Sequence, residues 1–215
     1  MSLTNWPLAK LRVTTPRIEL VYPDDAMLDM IADLGASGIH DSSTMPFSIP
    51  WTDVPPPQQQ RNTLQFYWGQ RAALRPEAWG IELAVLANGT LVGVQGLHAS
   101  DFAIVRSVDT GSWLARAFQG QGIGTEMRAA MLHFAFAGLG AVEATSGAFD
   151  DNTASLAVSR KLGYEKVGER RVARRGEPAR LIGLRLTRDR WQAHRRNDIT
   201  IAHLEECLEC LGARS

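Results

Sequence analysis

The stretch that most limits what this chain can fold into is Gly111-Ser-Trp-Leu-Ala-Arg-Ala-Phe-Gln-Gly-Gln-Gly-Ile-Gly-Thr125, where a strand-like run enters a glycine-rich turn that opens straight into a helix. The helix is legible from Ile123, Met127, Ala130, Met131 and Phe134, which share one face, and Gly138 is placed to end it. A helix start exposes N–H groups without intrahelical partners and the positive end of the peptide dipole, so it favours an anion. Gly120, Gly122 and Gly124 let a ligand approach the backbone with no Cβ in the way. The glycine spacing differs from the dinucleotide fingerprint, and no Gly-Lys-Ser/Thr follows, which excludes a phosphate-loop NTPase. Glycines alone are equally compatible with a tight strand-to-helix connection that binds nothing.

The flanks supply the context. Arg17–Tyr22 alternates as a strand and stops at Pro23, with Asp24 or Asp25 placed to cap a helix reaching about Leu34. Residues 35–57, closed by Pro55-Pro56-Pro57, read as a long loop, and Phe47 and Trp51 suit one that packs over something. Gln58–Leu74 reads as a helix. Trp79–Leu86 and Leu91–His98 are apolar runs joined at Asn88-Gly89, a hairpin signal because both residues tolerate positive φ. Further strands are expected near Arg106–Ala115, Val142–Gly147, Tyr164–Arg174 and Ala179–Leu186, the last two around a turn at Arg175–Pro178. A helix capped by Asn152 runs to Leu162, where Gly163 ends it. Two helical turns are expected after Thr187, and beyond about residue 197 the pattern assigns no element. The reading is one α/β domain over residues 1–215, built on a mixed sheet.

Lys plus Arg (23) balance Asp plus Glu (23), so no net field draws the chain to nucleic acid or an anionic membrane. Residues 160–196 hold 13 of the 23 basic side chains, which reads as an Arg-rich strand-and-turn surface rather than a nucleic-acid patch. No apolar run is long enough to span a bilayer and the N-terminus lacks a secretory pattern, so a cytoplasmic protein is expected. Cys207 and Cys210 have only His203 nearby, too few ligands for a metal, and read as reduced thiols.

Between its strand and helix, Gln119-Gly-Gln-Gly-Ile-Gly124 resembles the acyl-coenzyme A (CoA) signature of the GNAT superfamily of N-acetyltransferases. Asp151–Tyr164 is similar to that family's second block, an Asn-x-x-Ser helix ending in Leu-Gly-Tyr. The order of elements over residues 17–186 fits as well, and the nearest branch is that of the RimJ/RimL ribosomal-protein N-terminal acetyltransferases. The resemblance implies a GNAT fold, with a mixed, mostly antiparallel central sheet, a V-shaped splay and flanking helices. It also implies acetyl transfer from acetyl-CoA to an amine, on a peptide N-terminus or a small molecule. The residues themselves offer no metal constellation and no Cys or Ser nucleophile in a recognisable triad, so direct transfer within a ternary complex, without a metal, is expected. Met45–Trp51, Gly124–Ala130 and Leu186–Trp191 are similar to a mycobacterial member named as a possible succinyl-CoA transferase, which makes succinyl-CoA the alternative donor. A non-catalytic acyl-CoA-binding module is the third reading, and a homo-oligomer is compatible with all three.

By the resemblance, the amides of Gln121, Gly122, Ile123, Gly124 and Thr125 hold the CoA diphosphate, Gln119 and Gly120 are further donor contacts, and the backbone at Trp113 and Leu114 pairs with the pantetheine arm. Asn152 and Ser155 complete the donor site. Many relatives carry a Tyr seven residues after the Asn to protonate the departing thiolate. Ser159 stands there in this chain, so Ser155 and Ser159, four apart on one helix face, become the catalytic candidates. Trp51 and Asp53 are expected acceptor contacts, in a pocket walled by the 35–57 loop and the 174–179 turn. Glu82, His98 and Asp109 are unranked candidates for the general base.

Overall fold

The computed structural model describes residues 4–214. The chain runs through β1 (Arg12–Thr14), β2 (Ile18–Val21), α1 (Asp25–Ala36), a long loop holding one 3-10 turn at Trp51–Asp53, and α2 (Gln58–Ala73). β3 (Ala78–Ala87) and β4 (Thr90–Ser100) follow, then the short α3 (Phe102–Val105), β5 (Ser107–Leu114) and α4 (Ile123–His133), which continues as a π turn to Gly138. β6 (Glu143–Phe149), α5 (Thr153–Lys161), β7 (Glu165–Arg174), β8 (Glu177–Thr187), α6 (Arg188–His194) and β9 (Thr200–Ala202) complete it.

Nine strands form one sheet in the order β7-β8-β6-β5-β4-β3-β2-β1-β9. Among the described residues only β5 and β6 pair in parallel, and their ladder covers just Ser107↔Glu143, Val108↔Ala144 and Asp109↔Thr145. Beyond it β5 stays with β4 as far as Leu114, while β6 follows β8 as far as Phe149, so the two strands part in a V. Hydroxyls replace the ladder at the point of parting. Ser146 Oγ donates to the Thr110 carbonyl (3.0 Å) and Thr110 Oγ1 to that of Thr145 (3.1 Å).

α1 and α2 cover one face through Leu28, Ile31 and Tyr67, packed on Val21, Ala84 and Val94. The larger core lies on the other face, where Met127, Met131, Phe134, Phe136 and Trp191 meet Leu83, Val85 and Val108. The period of two along β3 divides Ala84 from Leu83 and Val85 between these layers.

The β3–β4 hairpin closes at Asn88 and Gly89, with φ of 49° and 77°, as the sequence implies. The β7–β8 turn is tighter than expected: Arg175 and Gly176 alone form it, with φ of 51° and 82°, and Pro178 lies in β8. Pro178 is tolerated there because β6 reaches only to Leu181, so no ladder needs its missing N–H. β1 and β9, three residues each, carried no readable period. They pair at the sheet edge (Val13↔Ile201), and the segment after residue 197 is therefore part of the fold. Trp79 Nε1 donates to the Leu211 carbonyl (2.9 Å), and Leu211 and Cys207 are fully buried.

Candidate active site

The glycine-rich turn follows β5 at the open end of the V. Gly120 and Gly122 adopt φ of 75° and 82°, left-handed values that a Cβ disfavours. Gly122 starts α4 with no side-chain cap, its carbonyl taking Thr125 N (3.2 Å) and Glu126 N (3.1 Å). Among the described residues, no acceptor takes the amides of Gly120, Gln121, Gly122, Ile123 or Gly124. Five unpartnered N–H groups at a helix start suit a diphosphate. The Gln119 side chain holds the turn in place, donating to the Leu114 carbonyl (2.8 Å) and to Ile39 in the long loop (2.8 Å).

Arg17 adds a fixed cation at this turn. Its Nε donates to Glu126 Oε2 (2.7 Å) and its NH1 to the Gln121 carbonyl (3.3 Å). Burial opposes the Glu126 charge, but hydrogen bonds from Thr15 and Arg17 and the field of Arg196 outweigh it and hold the carboxyl below its ordinary range.

Inside the V, the carbonyls of Thr110 and Leu114 face the gap, since they accept from Ser146 and Gln119. Ser112 lies between them in the same alternation and presents its own N–H and C=O to the gap. Across the gap stands α5, capped as expected: Asn152 Oδ1 accepts from Ser155 N (3.1 Å). The two serines then differ. Ser155 is half-buried, and its Oγ has no partner among the described residues. Ser159 is fully buried, donates to the Ser155 carbonyl (3.0 Å) and accepts from Arg128 NH1 (3.4 Å).

The face under α2 carries the ionisable cluster. His98 Nε2 meets Glu82 Oε1 at 2.8 Å, and the Glu82 side chain is only 12% exposed. Two glycines make room for the pair. A Cβ at Gly96 would sit 2.5 Å from Glu82 Oε2, and one at Gly80 would sit 2.5 Å from the His98 ring. Gly96 is also paired with Gly111 of β5, so Glu82 lies level with the parting of the V. His98 and Asp109 line a cleft of about 550 Å³ with Gln70, Trp79 and Thr145. Burial disfavours a charged His98, but the Glu82 hydrogen bond and the fields of Glu82 and Asp109 prevail and raise its pKa. Burial, reinforced by the Glu82 charge, keeps Tyr67 protonated well above the ordinary phenol range.

The long loop closes the same side. Trp51 packs on Trp113 (ring centroids 5.9 Å) and on Phe47 (5.4 Å). The β7–β8 turn reaches the loop through Arg175, whose Nε donates to Asp53 Oδ2 (2.7 Å) and NH1 to the Ser42 carbonyl (3.0 Å). Arg174 pairs with both Asp151 oxygens (2.8 Å each) and donates to the Met45 carbonyl (3.3 Å).

Residues 17–165 match the family model described as the acetyltransferase (GNAT) domain. The chain belongs to the GNAT acetyltransferase family. Members of this family are N-acyltransferases that use acyl-CoA. A Bacillus subtilis (strain 168) relative named "Putative ribosomal N-acetyltransferase YdaF" is 33% identical over 92 residues, 43% of this chain; the match spans about half (50%) of that relative's length. The solved structure of the ribosomal alpha-N-protein acetyltransferase RimL in complex with CoA superposes with a TM-score of 0.68 at 19% identity, covering 80% of this chain and 95% of that one. A chimera of spermidine N-acetyltransferase SpeG from Vibrio cholerae gives 0.66 at 13% identity, over 82% and 98% of the two chains. At such identities these two structures share the GNAT fold.

Within this GNAT chain the structure brings Trp113, Leu114, the 119–125 turn, Asn152, Ser155 and Ser159 to one splay. Three side chains are more committed than expected. Gln119 holds backbone carbonyls, Asp53 is paired with Arg175, and Ser159 is locked beneath α5. Sequence reasoning missed Arg17, which it read only as a strand start, and Arg128, one step from the apolar stripe of α4. Cys207 is a packing residue: burial pushes its thiol up to about 12, and no group of metal-ligating residues exists among the described residues. No helix among the described residues is long and apolar enough to cross a membrane.

Proposed function

We propose that the chain transfers an acetyl group from acetyl-CoA to an amine, on a protein N-terminus or a small molecule, by direct attack in a ternary complex. The observation that carries this reading is the V between β5 and β6, with five free amides at its mouth and the Glu82–His98 pair level with its base. Bound acyl-CoA supplies the activated thioester. The 120–124 amides and Arg17 suit its diphosphate, and the Ser112 N–H is placed to polarise a carbonyl lying along β5. His98, oriented by Glu82, takes a proton from the acceptor's ammonium, and the neutral amine so formed attacks the thioester. Ser155 has a free hydroxyl but no base beside it, and the Cys207 thiol is buried and protonated, so neither forms an acyl-enzyme. The names of YdaF and RimL support a ribosomal-protein acceptor, and that of SpeG a polyamine. Succinyl-CoA is the second donor reading, and a buried cation in the V (below) favours it.

A thermal-shift series with acetyl-CoA, succinyl-CoA and free CoA tests the donor site, because a ligand bound only by the folded state raises the melting temperature. Stabilisation by all three is expected, with acetyl-CoA at least equal to succinyl-CoA. A melting curve unmoved by every CoA species would sink the reading.

The base assignment predicts a pH profile. His98 must be neutral to accept a proton, so the rate rises with pH through its raised pKa. Glu82→Gln removes the anion that raises it, and the acid limb should move to lower pH. An unmoved limb rules His98 out. The same shift makes the pair's contribution to stability complete below the unfolded histidine pKa and lost as pH rises through the folded one.

A further inference from the structure

Arg128 is a buried cation without a counter-ion. The residue is 5% exposed, and no carboxylate lies within salt-bridge distance among the described residues. Its partners are three serine hydroxyls from three elements that bound the V: Ser112 of β5 (NH2, 2.9 Å), Ser146 of β6 (NH1, 3.4 Å) and Ser159 of α5 (NH1, 3.4 Å). Its Nε is buried with no partner among the described residues. Burial lowers the pKa of the guanidinium, with the fields of Tyr164 and Asp109 opposing, yet arginine stays charged in proteins. Neutral hydroxyls orient such a charge without cancelling it, and an uncompensated buried charge is costly to the fold. An apolar side chain at this place in α4, between Met127 and Ala129, would carry no such cost.

We propose that Arg128 is an anion receptor inside the V, held for a small negative charge that the donor brings to, or develops at, its acyl–sulfur end. The inference rests on the acyltransferase reading above. In the transfer, a C–N bond forms between the amine and the acyl carbon while the C–S bond breaks. The C–S electron pair leaves on sulfur, and the amine's proton passes toward His98. Negative charge thus appears on sulfur inside the V, whose walls carry Ser112 and Ser159, two of the hydroxyls that hold Arg128. A carboxylate on an acidic acyl group, as in succinyl-CoA, is the other anion of the same chemistry that Arg128 would meet.

The test uses the full chain with Arg128→Met, Arg128→Lys and Ser112→Ala. Arg128→Met is expected to melt no lower than wild type, since it removes an unpaired buried charge, and to lose activity. Calorimetry with CoA and desulfo-CoA at pH 7 and pH 9 reads the sulfur directly. Wild type should prefer CoA more strongly at the higher pH, Arg128→Met should lose that gain, and Arg128→Lys should keep part of it. With acetyl-CoA the Met variant should fall about tenfold or more in kcat. An equal fall with both donors assigns the anion to the thiolate. A further tenfold or greater loss of kcat/KM confined to succinyl-CoA assigns it to the acyl carboxylate. A Met variant that melts lower, yet keeps kcat with both donors and the pH-dependent preference for CoA, makes Arg128 a packing residue and overturns the proposal. Should Arg128→Met fail to fold, Ser112→Ala keeps the charge and removes its best hydrogen bond, and an unchanged kcat and sulfur preference in that variant overturns the proposal equally. Wild type that binds no CoA overturns the acyltransferase reading itself, and the wild-type control tells the two failures apart.

Discussion

Replacing Gly122 by Val is expected to weaken CoA binding at least about tenfold while the protein stays folded. The expectation rests on where an added side chain would go. Gly122 has φ of 82°, and the one atom within 4 Å of a Cβ there is an Arg17 guanidinium nitrogen at 3.4 Å. The protein itself has room, so the internal cost is backbone strain, on the order of 1–2 kcal/mol for an L-residue held left-handed. Binding loses more than that. If φ relaxes, the amides of Gly122, Ile123 and Gly124 turn away from their common focus. If it does not, the branched side chain stands in the approach to those amides and displaces Arg17. Gly89→Val is the matched control: φ is 77°, nothing lies within 4 Å, and the residue sits in the β3–β4 turn. That variant should show similar strain with normal CoA affinity. Gly124→Ala meets only Val158 Cγ2 at 4.0 Å, outside the left-handed region, and should be tolerated by the fold. Calorimetry with circular dichroism separates the three. Normal affinity in Gly122→Val would move the diphosphate elsewhere.

The site divides into parts that sequence could and could not reveal. The strand, turn and helix around Gly122 were legible because left-handed glycines and an apolar helix face are local signals. The Asn152 cap is local too, and its Oδ1 bond to Ser155 N is where the sequence puts it. Glu82 and His98 were visible only as isolated candidates, and the reason is a matter of register. Counting back from the Asn88-Gly89 turn pairs Leu86 with Leu91, and unbroken alternation would set Glu82 opposite Gln95. A bulge between Val85 and Leu86 shifts the pairing by one, so Glu82 faces Gly96 and His98 faces Gly80. One residue of slip decides which side chains share a face, and nothing in the residues announces it. β1 and β9 fail for another reason. Three residues give no period, and Val13 finds Ile201 only once the sheet between them exists. Arg128 was hidden by the expectation of a half-exposed α4, whereas residues Glu126 to Leu132 are all buried. A charge inside so apolar a helix was the available signal.

Ser155→Ala should lower kcat and kcat/KM together by about 10²-fold, with donor affinity nearly unchanged, because the contact it removes strengthens only as sulfur becomes negative. The structure gives the asymmetry that the sequence lacked. Ser155 sits in the first turn of α5, where the helix dipole already favours an anion, and its Oγ is free to turn toward one. Ser159, the position of the tyrosine in many relatives, has its proton committed to the Ser155 carbonyl and its lone pair to Arg128. Removing that hydroxyl deletes buried hydrogen bonds, so Ser159→Ala should cost stability, roughly 1 kcal/mol per bond, ahead of activity. A thiolate stabilised by Ser155 would still need a proton, and serine is a poor acid, so water is expected to supply it. Single-turnover rates with acetyl-CoA and a primary amine, measured for both variants beside their melting temperatures, read the two effects separately. A large kinetic loss in Ser159→Ala with none in Ser155→Ala would move the role one turn along α5, through the Arg128 bond. Loss in neither would leave the leaving group to water and to Arg128 alone, and the double variant of Ser155 and Arg128 would then be no slower than Arg128→Met.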